Sequence, residues 1–439
     1  MHLTDSISCT NAVTITNGAK FDGNGFSIRF DKPPTSGDFV GDSVIKVEDG
    51  AELKNVAVIP NGATIAKAHL FHAISFGEGH ANIQNVKIEF PPGGPSSSCF
   101  SIADTTTKVV NVDHVDCVGF MTVGMLVNIM STTTALLEEV NVSHATFTPS
   151  SSSPSASAAI YIGEAPKMTN FNIEHLHAKG SPSKRLAAGI WTQKIRSSDE
   201  IGRLSVNHST IEYTAGSAVQ IQNAVGQLSI TNTNIYSSNG DGISVDQKSR
   251  DMILANLFVK DIVRNAIKVM GGNKIRILDS KFLGVANNSA SDGIGILHCD
   301  DLKIENILVS TVARGIHVQP YSTIETKTEL KNVVALKSGG GGNDPAISID
   351  ISQWGRPEEY NDIVKLDNVI SCHPGGHETS QAKVEFTHTI GHEDHLDIEI
   401  KGDFVADECG YLQRDSNLNV IGNVACPKTP EPCAGHCSN

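Results

Sequence analysis

Gly-Ile-Ser-Val-Asp at 242–246 returns as Ala-Ile-Lys-Val-Met at 266–270, Gly-Ile-Gly-Ile-Leu at 293–297, Gly-Ile-His-Val-Gln at 315–319 and Ala-Ile-Ser-Ile-Asp at 346–350. Apolar residues at every second position place alternate side chains on one face of a strand. A phrase that recurs every ~20–30 residues marks one supersecondary unit stacked on copies of itself. The chain of 439 residues therefore predicts one elongated all-β body, where length alone would suggest about two or three globular domains.

A second strand follows many copies of the phrase, as in Gln-Leu-Ser-Ile-Thr-Asn at 227–232, Asp-Leu-Lys-Ile-Glu-Asn at 301–306 and Ile-Val-Lys-Leu-Asp-Asn at 363–368. Upstream it reads Val-Asn-Val-Asp-His at 110–114, Val-Asn-Val-Ser-His at 140–144, Phe-Asn-Ile-Glu-His at 171–175 and Leu-Ser-Val-Asn-His at 204–208, each followed by a further short apolar piece. A coil thus has three strands. Alignment of the second strands brings His114, His144, His175, His208, Asn232, Asn256, Asp279, Asn306, Asn332 and Asn368 to one turn. Coils about 4.8 Å apart let such side chains meet each other and the bent backbone. Because His gives way to Asn, a poor zinc ligand, with no change in the repeat, this column reads as a structural ladder.

Three strands per coil, an Asn-rich turn and the early Ala-Lys-Phe-Asp-Gly-Asn-Gly-Phe-Ser-Ile at 19–28 resemble the right-handed parallel β-helix proteins of the pectin-lyase-like superfamily. The likeness runs from about Val13 to about Val424. It implies a single-stranded right-handed parallel β-helix of about 12–14 coils over residues 1–424, followed by a Cys- and Pro-rich tail at 425–439. It also implies an acidic polysaccharide as the usual substrate class, with adhesins, tailspikes and ice-binding scaffolds as non-catalytic relatives. No catalytic residue carries over. Asp300-Asp301 stands without the Asn-Thr-Asp, Gly-His-Gly or Arg-Ile-Lys of the polygalacturonase-like hydrolases, and neither the Trp-Ile-Asp-His of pectate lyases nor the Asp-Pro-His-Asp of alginate epimerases is present.

A charged fraction of 19%, an aromatic fraction of 5% and 39 glycines suit strands and turns. The net charge of −14 disfavours nucleic acid and anionic membranes, and it opposes a polyanionic ligand unless a cation or a local basic strip offsets it. Nine cysteines without a Cys-x-x-Cys pattern point to an oxidising compartment, with Cys426, Cys433 and Cys437 stapling the last coil, together with Cys409 in one arrangement. Sequons at Asn141, Asn207 and Asn287 agree with secretion and glycosylation. The N-terminus opens almost directly on Ala-Val-Thr-Ile-Thr with no signal peptide, as in a mature or trimmed form. A secreted monomer acting on a polysaccharide is expected, with no nucleic-acid or membrane partner.

If the isoleucines of the phrase point inward, the next residue points outward. That column reads Tyr161, Trp191, Gln220, Ser244, Lys268, Gly295, His317 and Ser348, and the column two residues on reads Gly163, Gln193, Gln222, Asp246, Met270, Leu297, Gln319 and Asp350. Aromatic faces beside planar amides suit sugar rings, so Tyr161, Trp191, Gln193, Gln220, Gln222 and His298 are candidate substrate contacts; packing beneath the loops at 149–157 and 180–185 is the alternative for the two aromatics.

The densest polar constellation is Asp246, Lys248, Arg250, Lys268, His298, Asp300, Asp301, Arg314 and His317. Elimination beside a uronate needs a base near the C5 proton and positive charge at the carboxylate. Lys268 or Arg250 is the candidate base, with Asp246 and His317 as further catalytic candidates. Asp246, Asp300 and Asp301 offer the oxygen ligands that calcium takes. Hydrolysis through Asp246 with Asp300 or Asp350, or cross-coil ion pairs with no chemistry, are the competing readings. The histidines at 373, 377, 388, 392 and 395 read as exposed turn residues, their spacing unlike a helical His-Glu-x-x-His. Two functions remain: a secreted lyase of a uronate-containing glycan, or a non-catalytic carbohydrate-binding β-helix.

Overall fold

A computed structural model describes residues 1–30, 43–60, 71–91, 97–129, 136–151, 156–163, 167–193, 200–222, 224–246, 249–285, 291–311, 314–319, 326–337, 346–351, 361–372, 383–389, 395–406, 408–414 and 420–424. The described residues form strands and turns, with no helix among them and hence none long and apolar enough to cross a membrane. The tail cysteines Cys426, Cys433 and Cys437 lie outside the described residues.

The chain gathers into two units, Met1–Gln227 and Leu228–Asn439, each a solenoid-like stack of parallel strands. In the first, Ile45, Ile74, Phe100, Met125, Ile160, Ile190 and Val219 succeed one another in register, strand above parallel strand. In the second, Ile243, Ile267, Ile294, Ile316, Ile347 and Val384 do the same. All of these residues are fully buried. Each buried isoleucine contributes about 1.5–3 kcal/mol of transfer free energy, repeated coil after coil. Phe76 stacks on Phe100, and Phe147 meets Phe100 edge to face, in the core of the first unit.

The small residue before each isoleucine also has a cause. A Cβ on Gly242 or Gly293 would lie 2.5 Å from the carbonyl oxygen of Ala266 or Gly315 respectively, so the chain there passes too close for a side chain. The last described pairing, Glu408–Arg414 with Val420–Val424, is antiparallel and ends the repeat.

Some second strands run through the ladder position, as in Thr107–Phe120 and Cys299–Thr311, while others stop just before it, as Met168–Glu174 does before His175 and Glu200–Asn207 before His208. Each ladder residue is a single left-handed step in an otherwise extended chain, with φ between 48° and 58° from Asn55 and Asn85 through His114, His144, His175 and His208 in the first unit, and from Asn232 to Asn368 in the second. Asn, Asp and His are the non-glycine residues that tolerate this region best, which is why no other type occupies the column. The sequence-based column therefore stands, and the structure carries it upstream to Asn55 and Asn85. Gly402 follows Asn368; a side chain there would collide with the Asn368 amide oxygen.

A second amide row lies on the same strands of the first unit. Asn111 Nδ2 donates to Asn82 Oδ1 at 2.8 Å, Asn141 to Asn111 at 2.8 Å and Asn172 to Asn141 at 2.9 Å. The Asn141 amide thus donates to Asn111 and accepts from Asn172 within this row. Cys99 and Cys117 are at disulfide distance with Cα atoms 6.3 Å apart, while the Cys299 thiol is buried and free.

Candidate active site

Register places Asp241, Asn265, Asp292 and Arg314 in one column of the second unit, each two residues before an inward isoleucine. They form a continuous polar chain. Asn265 donates its backbone N–H (3.0 Å) and its Nδ2 (2.8 Å) to Asp241 Oδ1, and its Oδ1 accepts the Asp292 N–H at 2.6 Å. The Asp292 carboxylate then faces two nitrogen partners: Arg314 Nε lies 2.7 Å from Oδ1, and His317 Nδ1 lies 3.3 Å from Oδ2. The Arg314 contact is one of charge, because no N–H is aligned on the buried Oδ1. Asp292 and His317 keep only 12% and 14% of their side-chain surface exposed, so solvent screens their attraction weakly.

A carboxylate can only accept a hydrogen bond, so Nδ1 of His317 is the donor; in the neutral ring Nε2 then keeps the lone pair. This is the arrangement in which an acid orients an imidazole as a general base.

The cavity in front of the pair has a volume of about 500 Å³. It exists because the outward column reads Lys268, Gly295, His317: the glycine leaves a gap between two long side chains whose strands are two spacings, roughly 9–10 Å, apart. A Cβ on Gly295 would reach 3.0 Å from Asp292 Oδ2. Arg264, Lys268 and Arg314 bring three fixed positive charges to the wall, against the two carboxylates Asp241 and Asp292. With a neutral His317 the lining carries a formal +1, in a chain of −14.

Of the residues singled out from sequence, Lys268 and His317 line this cavity together with Arg314 and Gln319. Others lie elsewhere. Arg250 is exposed on the strand Ser249–Ala255, and it is absent from the cavity wall. Asp246 accepts a hydrogen bond from Ser244 Oγ at 3.1 Å, and His298 is an exposed left-handed residue whose N–H donates to the Gln319 carbonyl. Asp301 pairs with Arg276 at 2.7 Å, and Asp300 sits beside it on the strand Cys299–Thr311. The carboxylate oxygens of Asp246, Asp300 and Asp301 do not all lie within 4.8 Å of one another. Lys248 lies outside the described residues, and so do the side chains of the five C-terminal histidines.

The aromatic candidates form a cluster of their own in the first unit. Tyr161 and Trp191 are in register with each other and with Gln220, and their rings meet edge to face at 5.1 Å. The Tyr161 hydroxyl donates to Gln193 Oε1, and Trp191 Nε1 donates to Gln222 Oε1 at 3.4 Å. Packing and polar contact are both satisfied within the cluster, and the edge-to-face angle of 73° leaves no flat two-ring platform for sugars.

Asp241, Asn265, Asp292 and Arg264 escape a reading that starts at the glycine of the phrase. The signal was nonetheless present: Asp-Gly-Ile occurs at both 241–243 and 292–294, and the residue before the small one is polar in four successive coils. No protein-family model matches the chain, and no curated protein matches it in sequence.

Proposed function

We propose that the chain is a right-handed parallel β-helix of the pectin-lyase-like kind and that the cavity around Asp292 is the active site of a secreted lyase, cleaving a uronate-containing glycan by β-elimination. The observation that carries the reading is the pairing of an oriented imidazole, His317, with three cationic side chains around one open cavity of an acidic protein. His317 Nε2 removes the proton at C5 of the uronate. Lys268 and Arg264 neutralise the sugar carboxylate and the charge that develops on it as C5 becomes planar. The C4–O bond then breaks, the C4–C5 double bond forms, and the departing oxygen takes a proton from water. Arg314 and Asn265 hold Asp292, which holds His317.

Lys268 thus serves as carboxylate clamp and not as base, and Arg250 has no part. Hydrolysis by paired carboxylates is less well served, because Asp241 and Asp292 both direct oxygens at groups within the wall. The Cys99–Cys117 pair supports an oxidising compartment.

The test is a panel of pectate, alginate and related polymers, with and without calcium, followed by the ultraviolet absorbance of the unsaturated product. Activity should fall about 10²–10⁴-fold in His317→Ala, the usual contribution of a general base. No unsaturated product from any polymer overturns the lyase reading; binding to an acidic glycan that is lost in Lys268→Ala, without product, assigns the cavity to a non-catalytic carbohydrate-binding protein.

A further inference from the structure

We propose that Asp113, His114 and His144, on two adjacent coils of the first unit, form a binding site for a transition-metal dication of the zinc type. The left-handed turn does not require histidine: asparagine fills it at 55, 85, 256, 306, 332 and 368 with the same φ. The run of imidazoles therefore asks for a reason beyond the backbone.

Within that run one point is different. Asp113 Oδ2 lies 2.8 Å from His114 Nδ1, and Oδ1 lies 3.1 Å from His144 Nδ1, so two rings from successive coils turn the same nitrogen toward one carboxylate. One ligand atom from each of the three residues lies within 4.8 Å of the other two, a grouping of histidine, cysteine and acid side chains found nowhere else among the described residues. His175, the next ring in the stack, points its Nε2 at Glu174 at the longer distance of 3.8 Å. Ser143 Oγ donates to Asp113 Oδ1 at 2.6 Å, which orients the carboxylate from outside the ligand set as second partners of metal ligands do.

The donor chemistry selects the ion. Two imidazole nitrogens and one carboxylate oxygen suit zinc, and equally nickel or copper, in preference to calcium, which takes oxygen. Zinc–nitrogen bonds of about 2.0–2.1 Å require the rings, stacked at 4.3 Å, to tilt toward each other. The two rings are about half exposed, and the tilt of His144 toward His114 loosens its stacking with the His175 ring at 4.6 Å. Water completes the coordination sphere.

The experiment is calorimetric titration of the full chain with Zn²⁺ at neutral pH. His144→Asn is the decisive variant, because asparagine already occupies this left-handed position in neighbouring coils and the ladder survives the change. Asp113→Asn removes the charge, and His208→Asn is the control. The proposal expects one zinc ion bound by the wild type and by His208→Asn. It expects affinity reduced by about a hundredfold or more in His144→Asn and Asp113→Asn, at or beyond the upper end of the 10–100-fold cost of losing an outer partner. Melting temperatures of the metal-free variants should stay close to wild type. Absence of zinc binding in the wild type overturns the proposal, as does binding that persists in both variants, the result expected if the C-terminal histidines were the ligands.

Discussion

Lowering the pH from 7 to 5 should destabilise the protein through His72 before the bulk of its carboxylates take up protons. His72 sits on the strand Phe71–Phe76 in register with Ser43 and Ser98, 4% exposed, its Nδ1 hydrogen-bonded to Ser98 Oγ. Burial holds its pKa down to about 4, against the usual 6.5 of a free imidazole. The unfolded chain therefore binds a proton below pH 6.5 that the folded chain refuses until about pH 4. Stability is unaffected above the unfolded pKa and is lost as pH falls between the two values. Linkage gives a loss of about 2 kcal/mol by pH 5 and about 3 kcal/mol once both forms are protonated. The assay is denaturant unfolding of the wild type and of His72→Asn, which keeps a hydrogen-bonding side chain but cannot titrate. The difference between their unfolding free energies should change by about 2 kcal/mol from pH 7 to pH 5. A constant difference across that range would refute the assignment of a neutral, desolvated imidazole.

Gly295→Ala should fold normally, but its methyl group approaches Asp292 Oδ2 and narrows the gap between Lys268 and His317. If the proposed elimination takes place in this cavity, its kcat should fall by about tenfold to a hundredfold, since small misplacements of an oriented group cost this much. Asn332→Ala loses the hydrogen bonds to Asn306 at 2.8 Å and from Asn368 at 3.0 Å, and it puts alanine at φ 51°. A cost of about 2–3 kcal/mol is expected in thermal or denaturant unfolding, and about 1 kcal/mol less for Asn332→Gly, which accepts the backbone. Peptide mass analysis of protein from a glycosylating host should find Asn141 bare, because its Nδ2 sits in a part-buried amide row, 2.8 Å from Asn111 Oδ1, where a sugar has to compete with the neighbouring coils for space.

The stacking of strands was legible because periodicity of two and the recurrence of a phrase both follow from backbone geometry. Ile243, Ile267, Ile294, Ile316 and Ile347 were placed correctly for that reason, and so was the column from His114 to Asn368, where a left-handed φ restricts the residue types. The site was only half legible. Lys268 and His317 lie on the outward column that the phrase defines, whereas Asp292 and Asn265 precede it at positions that resemble loop residues. Their partnership depends on which coil lies above which, and on the absent side chain of Gly295. Arg250 and Asp301 lie outside the cavity wall for the converse reason: proximity in sequence to the phrase does not bring a side chain onto its outward column. The aromatic pair was found, but no pattern in the sequence announces that two adjacent rings will meet edge to face.

The amide rows have a direction. Asn85 donates to Asn55, Asn332 to Asn306 and Asn368 to Asn332, each time toward the N-terminal neighbour, and the row from Asn82 to Asn172 runs the same way. Such a row needs a group with nothing to donate at one end and a donor at the other. Aspartate fills the first role: Asn55 gives its proton to Asp22 at 3.0 Å and Asn306 to Asp279 at 2.7 Å. The Asp403 N–H fills the second, at 3.1 Å from Asn368 Oδ1. Each row is thus a small dipole with a fixed polarity, and a single amide cannot rotate without reversing its neighbours, so the coils report on one another along the row even where their cores do not change.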